Sequence, residues 1–316
     1  MNIITSILHL LATGDFWQST LKYSVLLLLP ALGGVISERA GVVNIAMEGM
    51  MLTGAFFAVV FDLAWGNPWL ATLAAMIFGG LVASIHAVVS IRFRANQIIS
   101  GIAINIFAAG LTTFLLGRIY GQQGIDSVPR SNTLPVVNIP LLDQLPFLGK
   151  ALFQQNVIVY LALILLVSIN FLLFRTRLGL RIRAVGEHPQ AADTSGINVY
   201  RIRYAAVIAS GLLSALSGAF LSIGIGNIFV QNMTSGRGYI ALAAMIFGKW
   251  TPYGAFVSCL IFGAGEALFD YNSTLPVSSY FINMVPYLLT LIVLAGFVGR
   301  SIPPAADGVP YVPGGE

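Results

Sequence analysis

A chain of 316 residues that is 57% hydrophobic and only 9% charged, with a mean hydropathy of +0.86, is not a soluble domain, which carries roughly a quarter charged residues. A net charge of +4 and a pI near 9.3 would suggest nucleic acid for a soluble protein, but basic loops between membrane spans account for this excess, and no nucleic-acid partner is expected. The single Cys259 lies in an apolar run, which excludes a disulfide within the chain.

The first 21 residues hold no Lys or Arg, so the charged start of a secretory signal is missing. Residues 1–12 are apolar but shorter than the roughly 20 residues that cross a hydrocarbon core as helix, and they read as an interfacial or partly inserted helix. Runs suited to spans follow at 20–36, 41–62, 69–91, 97–117, 157–174, 204–225, 239–249, 253–270 and 284–299. The GKWTP stretch at 248–252 interrupts the seventh and eighth, so eight to ten spans are expected. The predicted fold is all-α, a polytopic helical membrane protein with one transmembrane domain over 1–316. Gly66, Asn67 and Pro68 mark a tight turn, and 118–156 is the one long loop. The tail at 302–316 has four prolines in fifteen residues, which predicts an extended, weakly ordered cytoplasmic end.

Residues 175–203 read RTRLGLRIRAVGEHPQAADTSGINVYRIR and hold six of the sixteen Lys and Arg residues. A basic loop between spans stays in the cytoplasm. Inside it, Pro189 can open a helix, 190–195 can complete about two turns, and Gly196 can cap the end. With this loop inside, eleven of the sixteen basic residues are cytoplasmic, and the N-terminus is external. Regions 33–60 and 235–268 share small residues, a polar break and an apolar run, the pattern of inverted repeats around a transport pathway.

Catalysis within the chain is not expected. No Gly-x4-Gly-Lys-Ser/Thr loop is present, so any ATP belongs to another chain. The seven Asp residues are scattered, and His9, His86 and His188 lack metal-ligand spacing. Buried ionisable residues point to function instead. Glu48 lies about 14 Å into the second span at helical rise, where a charge costs about 2.5–3.5 kcal/mol and needs a partner, a proton or water. It reads either as a pathway or gating residue or as a structural acceptor to a broken helix, and Glu266 poses the same choice. Asn44 and Asn105 could meet a polar substrate or join helices. His86 reads as an interhelical residue, and Met47, Met50 and Met51 as packing.

Three stretches carry a family resemblance: SERAGVVNIAMEGMM at 37–51, ANQIISG at 95–101 and GEHPQAADTSGINV at 186–199. Together with 243–265 and 304–311, the sequence resembles ABC importer inner-membrane permeases of the ribose, branched-chain amino-acid and nucleoside superfamily. The Asn44, Glu48 and Gly49 context narrows the likeness to the shorter permease of nucleoside uptake systems. The resemblance implies a coupling segment of Gly186, Glu187, His188, Pro189, Ala191, Ala192 and Gly196, while the buried polar residues Asn44, Glu48, Asn105 and Glu266 remain the candidates for a substrate pathway or gate. It implies a separate ABC ATPase subunit that binds ATP and magnesium, a second, longer permease chain, and an extracellular lipoprotein or periplasmic binding protein that delivers substrate. It also implies a multi-pass place among the lipids of a bacterial plasma membrane. The chain departs from the family at His188, where Asn usually precedes the coupling proline, and a local hydrogen bond changes with it. Sugar or branched-chain amino-acid import, and an ion-coupled transporter using Glu48 or Glu266, are the alternative readings.

Overall fold

The structure is a computed structural model that describes residues 9–121, 129–138, 147–271 and 301–314, with single positions at 140 and between 278 and 288. In chain order its elements are α1 (Gly14–Arg39), α2 (Met47–Trp65), α3 (Pro68–Ala87), α4 (Gln97–Tyr120), β1 (Val136–Asn138), α5 (Leu148–Phe153), β2 (Gln154–Asn156), α6 (Val157–Arg175), α7 (Arg177–Glu187), α8 (Pro189–Thr194), α9 (Val199–Ala219), α10 (Arg237–Phe247) and α11 (Pro252–Asp270). Short π-helical turns extend α3 over Val88–Arg92 and α9 over Phe220–Ile225. The two strands pair antiparallel as a small hairpin, Val136 opposite Asn156.

Seven helices among the described residues are long and apolar enough to cross a membrane. The expected seventh span at 239–249 is corrected: α10 has 11 residues, about 16 Å at helical rise, and is too short to cross alone. The expected ninth span at 284–299 and most of the expected interfacial start fall outside the described residues.

Side-chain caps set many helix boundaries. Asn67, Asn96, Asn156, Asn198 and Thr251 each accept a backbone N–H from the first turn of the helix they precede, worth about 1 kcal/mol apiece. Two ends of the bundle result. Arg39, α7, α8 and Trp250 gather at one; Asp15 with Lys150, Lys22 with Asp270, and Asp62 with Asn132 gather at the other.

α1 and α9 form the axis, each 83% buried along its apolar window, whereas α4 and α6 are only 33% buried. The outer helices turn Ile106, Phe107, Phe114, Ile164 and Phe171 outward, as expected where the solvent is lipid. Lipid supplies little hydrophobic drive between helices, so association rests on close packing of small residues. Gly54 and Gly79 lie against Ala215, Gly218 lies on the Met51 carbonyl, and a Cβ on Gly263 would sit 2.6 Å from the Ser24 nitrogen.

Between α10 and α11 the chain reverses through Lys249 (φ 54°) and Trp250 (φ 51°), two consecutive non-glycine residues in the left-handed region. That conformation is uncommon, and three contacts hold it. The Trp250 N–H donates to the Met245 carbonyl at 3.2 Å, its indole N–H donates to Glu38, and its carbonyl accepts from Arg39 Nε at 2.9 Å. Residues 301–314, expected as a loose extension, lie against this same end with Pro304, Ala306 and Tyr311 buried. The prolines prevent a helix there but not packing.

Candidate functional site

The interior site begins where α1 ends. Gly41 turns the chain in the left-handed region (φ 83°), and residues 43–45 re-enter the bundle outside any helical hydrogen-bond ladder. Non-helical backbone at membrane depth needs polar partners from the protein, and side chains supply them. Gln97 Oε1 accepts from the Val43 N–H at 2.7 Å, His86 Nε2 lies 3.1 Å from the Val43 carbonyl, and Asn105 Nδ2 donates to the Ile45 carbonyl at 2.9 Å. His86 Nδ1 also meets Ser100 Oγ at 2.9 Å, so the ring joins three segments.

This re-entry corrects the expected place of Glu48. α2 starts at Met47, which puts Glu48 in the first turn of that helix and not deep within a longer one. Its carboxylate reaches the start of α10: Oε1 accepts from the Gly236 N–H at 2.8 Å and Oε2 from the Gly238 N–H at 2.6 Å. The positive ends of two helices therefore meet at one carboxylate, an arrangement that favours its charge. Gly238 makes the approach possible, because a Cβ there would lie 2.5 Å from the Glu48 nitrogen.

Asn44 and Asn105 flank this junction. Asn44 Nδ2 donates to Ser210 Oγ at 2.8 Å, about 16 Å along α9 from Val199 by helical rise, while its Oδ1 accepts from the Ala46 N–H at 3.1 Å. Asn105 Oδ1 accepts from the Gly49 N–H at 2.8 Å, and its Nδ2 also donates to the Tyr239 hydroxyl at 2.9 Å. The structure thus brings Asn44, Glu48 and Asn105 around one seam. Glu266 stands apart from them, on the far side of α10's first turn, where its Oε2 accepts from Arg237 Nη2 at 2.7 Å and Nε at 3.1 Å. Ser210 and Tyr239 escaped the sequence reading, since nothing local distinguishes them. Gly236 and Gly238 were visible as a Gly-x-Gly step before an apolar run.

The second site is the basic segment. Thr176 Oγ1 accepts from the Gly179 N–H at 3.1 Å and starts α7, an amphipathic helix unseen in the sequence reading although Ile182, Val185 and Gly186 carry the buried i, i+3, i+4 pattern. Gly186 packs on the Arg39 carbonyl so closely that any side chain would collide with it. Glu187 ends α7 and His188 precedes α8 without a side-chain cap bond. Pro189 takes the first position of α8. Gly196 (φ 80°) closes it with a paired terminus: its N–H donates to the Asp193 carbonyl at 2.8 Å, and the Ile197 N–H to the Ala192 carbonyl at 3.0 Å. Pro189 and Ala192 face inward, whereas Gln190, Ala191, Asp193, Thr194 and Ser195 are exposed. Arg175, Arg177, Arg181 and Arg201 are exposed beside them. Such a small, polar, cation-edged face suits docking by a soluble protein.

Residues 17–294 match the family described as branched-chain amino acid transport system, permease component. The guanosine ABC transporter permease protein NupQ of Bacillus subtilis is 46% identical over 94% of this chain and 96% of its own length. The nucleoside ABC transporter permease protein NupC of Lactococcus lactis is 41% identical over 99% of both. A putative glucose ABC transporter permease of Haloferax volcanii is 38% identical over 90% of this chain and 92% of its own length. A second guanosine permease of the same bacillus, NupP, is 24% identical over 87% of this chain and 80% of its own length. No solved structure matches.

Proposed function

The chain belongs to the family of branched-chain amino acid transport system permease components, and from that premise we propose that it is one of two permease chains of an ATP-driven importer of nucleosides. It is a multi-pass membrane protein and a transport subunit, not an enzyme. The observation that carries the substrate class is the near-complete coverage by a guanosine and a nucleoside permease at 46% and 41% identity. Sugar is the competing cargo, on the strength of the 38% likeness to the glucose permease.

The remaining parts of the reading rest on geometry. The exposed face of α8 is the docking point for a cytoplasmic ABC ATPase, which binds magnesium and ATP and hydrolyses the ATP. The arginine-rich end is cytoplasmic, in keeping with the retention of basic loops. A second, longer permease completes the pathway, supported by the presence of two guanosine ABC transporter permeases, NupQ and NupP, in one organism. A binding protein at the opposite end delivers substrate. The Glu48 junction is the gate: two helices held end to end through one side chain can separate as rigid bodies, as discrete inward and outward states require. Uptake of radiolabelled guanosine, adenosine, glucose and leucine by the reconstituted complex is the test. Nucleoside uptake is expected; glucose or leucine uptake without nucleoside uptake would overturn the substrate class.

A further inference from the structure

Residues 301–314 touch five helices at the α8 end: α1, α7, α8, α9 and α10. Ser301 Oγ donates to the Ile246 carbonyl at the end of α10, at 3.1 Å. The Ala305 N–H donates to Glu187 Oε2 at 3.1 Å, and the Ala306 N–H to the Gly186 carbonyl at 2.8 Å. The Asp307 carboxyl lies beside Glu38, the last buried residue of α1, which also holds the Trp250 indole. Arg203 in α9 is only 1% exposed and donates through Nη1 to the Val309 carbonyl at 2.9 Å. Tyr311 then fills the inner side of α8. Its ring packs with Val185, Ala192 and Val199 and lies edge-on to Tyr200 at 5.5 Å.

The consequence is mechanical. α8 is a single six-residue helix whose buried Ala192 packs with Tyr311, so a displacement of α8 is felt first by Tyr311, and through the end of α7 by Ala305 and Ala306. The other end of the same strap is bonded to the C-terminus of α10, whose N-terminus is held by Glu48. We propose that residues 301–314 are a transmission strap, with Tyr311 and Asp307 as positioning residues that relay movement of α8 to α10 and so to the interior junction. This rests on α8 being the ATPase docking point.

Asp307 gives the strap a second readout. Burial pushes its carboxyl up to about 7, against the pull of the Arg203 guanidinium. The charged groups facing it are Glu38 at the end of α1 and Arg203 in α9, with the Gly308 backbone beside them. A carboxyl raised in the docked state binds its proton more tightly there than when free, so docking is favoured at low pH and weakens as pH rises through about 7.

The test uses the complete transporter in proteoliposomes and reads nucleoside molecules moved per ATP hydrolysed. Tyr311→Ala is expected to lower that ratio at least about fivefold, the low end of coupling between distinct sites, with the ATPase still bound, and Tyr311→Phe to stay within about twofold of the parent. Asp307→Asn should flatten the pH dependence of the ratio between about pH 6 and 8. An unchanged ratio in Tyr311→Ala, or loss of the ATPase from that variant, would overturn the strap. If Ala191→Arg leaves ATPase binding intact, the docking reading itself fails, a result the Tyr311 series cannot mimic.

Discussion

The Glu48 junction and the α8 segment are both short breaks between helices, but they treat polar groups in opposite ways. At the junction Asn44, Glu48 and Asn105 all bond backbone or side chains of the same chain, and each is less than 9% exposed. On α8 only Pro189 and Ala192 are buried; Gln190, Asp193, Thr194 and Ser195 are exposed, the two hydroxyls turned back onto the Ala191 carbonyl. The interior break is therefore tied into the fold by long-range bonds, while the surface break presents an exposed face, the one proposed above to dock the ATPase. A machine that moves solute by closing a motor requires both kinds, one to separate and one to be gripped.

The largest expected effect comes from the interior. Glu48→Gln keeps the size but aims an amide N–H at the Gly238 or Gly236 N–H, leaving a buried donor unpaired at a cost of about 1–3 kcal/mol. Maximal uptake should fall by about tenfold or more, since 1.4 kcal/mol is a factor of ten, with little change in apparent substrate affinity. Gly238→Ala should act alike, because a Cβ there meets Glu48 backbone. A change confined to apparent affinity in either variant would move these residues from gate to substrate contact and dissolve the contrast drawn above.

A smaller effect should divide the two faces of α8. Ala191→Arg adds bulk and charge on the exposed side, and the ATPase subunit should no longer co-purify while the permease itself remains inserted. Ala192→Arg instead forces a charge into the cluster of Val185, Val199 and Tyr311, so it should lower the melting temperature of the permease even without its partner. Equal behaviour of the two variants would show that α8 has no outer docking face.

Sidedness can be checked without altering function. In a Cys259→Ala background, a cysteine replacing the exposed Arg130 should react with an impermeant thiol reagent in intact cells, and one replacing the exposed Ser195 should not. Ser131 would be a poor choice, since it is only 8% exposed. The reverse pattern would place α8 outside and remove the docking proposal.

Much of this architecture was legible in the sequence because membrane helices announce themselves by length and apolarity. The helix from Pro189, the Gly196 cap and the turn at Gly66 to Pro68 were all readable from local chemistry. The start of α2 was not. Residues 41–46 are as apolar as the helix they precede, and only distant side chains (Gln97, His86 and Asn105) make a non-helical path affordable there. Tail docking was equally hidden: its prolines speak of extension, whereas its order comes from Arg203, Glu38 and the inner face of α8, all far away in sequence.

The smallest predicted change sharpens the comparison at a single residue. His188 precedes α8 with non-helical backbone (φ −140°, ψ 80°) and makes no side-chain cap bond, although Pro189 occupies the first helical position. The junction, by contrast, has its helix start capped by Glu48. Asn at this position, the residue the resembling permeases usually carry, has a short acceptor suited to the free N–H groups of Gln190 and Ala191. His188→Asn should therefore stabilise α8 by about 0.5–1 kcal/mol. Hydrogen exchange at Gln190 and Ala191 should slow by about two- to fivefold, the equivalent of that free energy. Uptake should change little, because α8 is already closed at its other end by Gly196 and held from beneath by Tyr311. Faster exchange in His188→Asn would mean that the imidazole stabilises the turn by another route, and the difference between the two helix starts would be one of residue type alone.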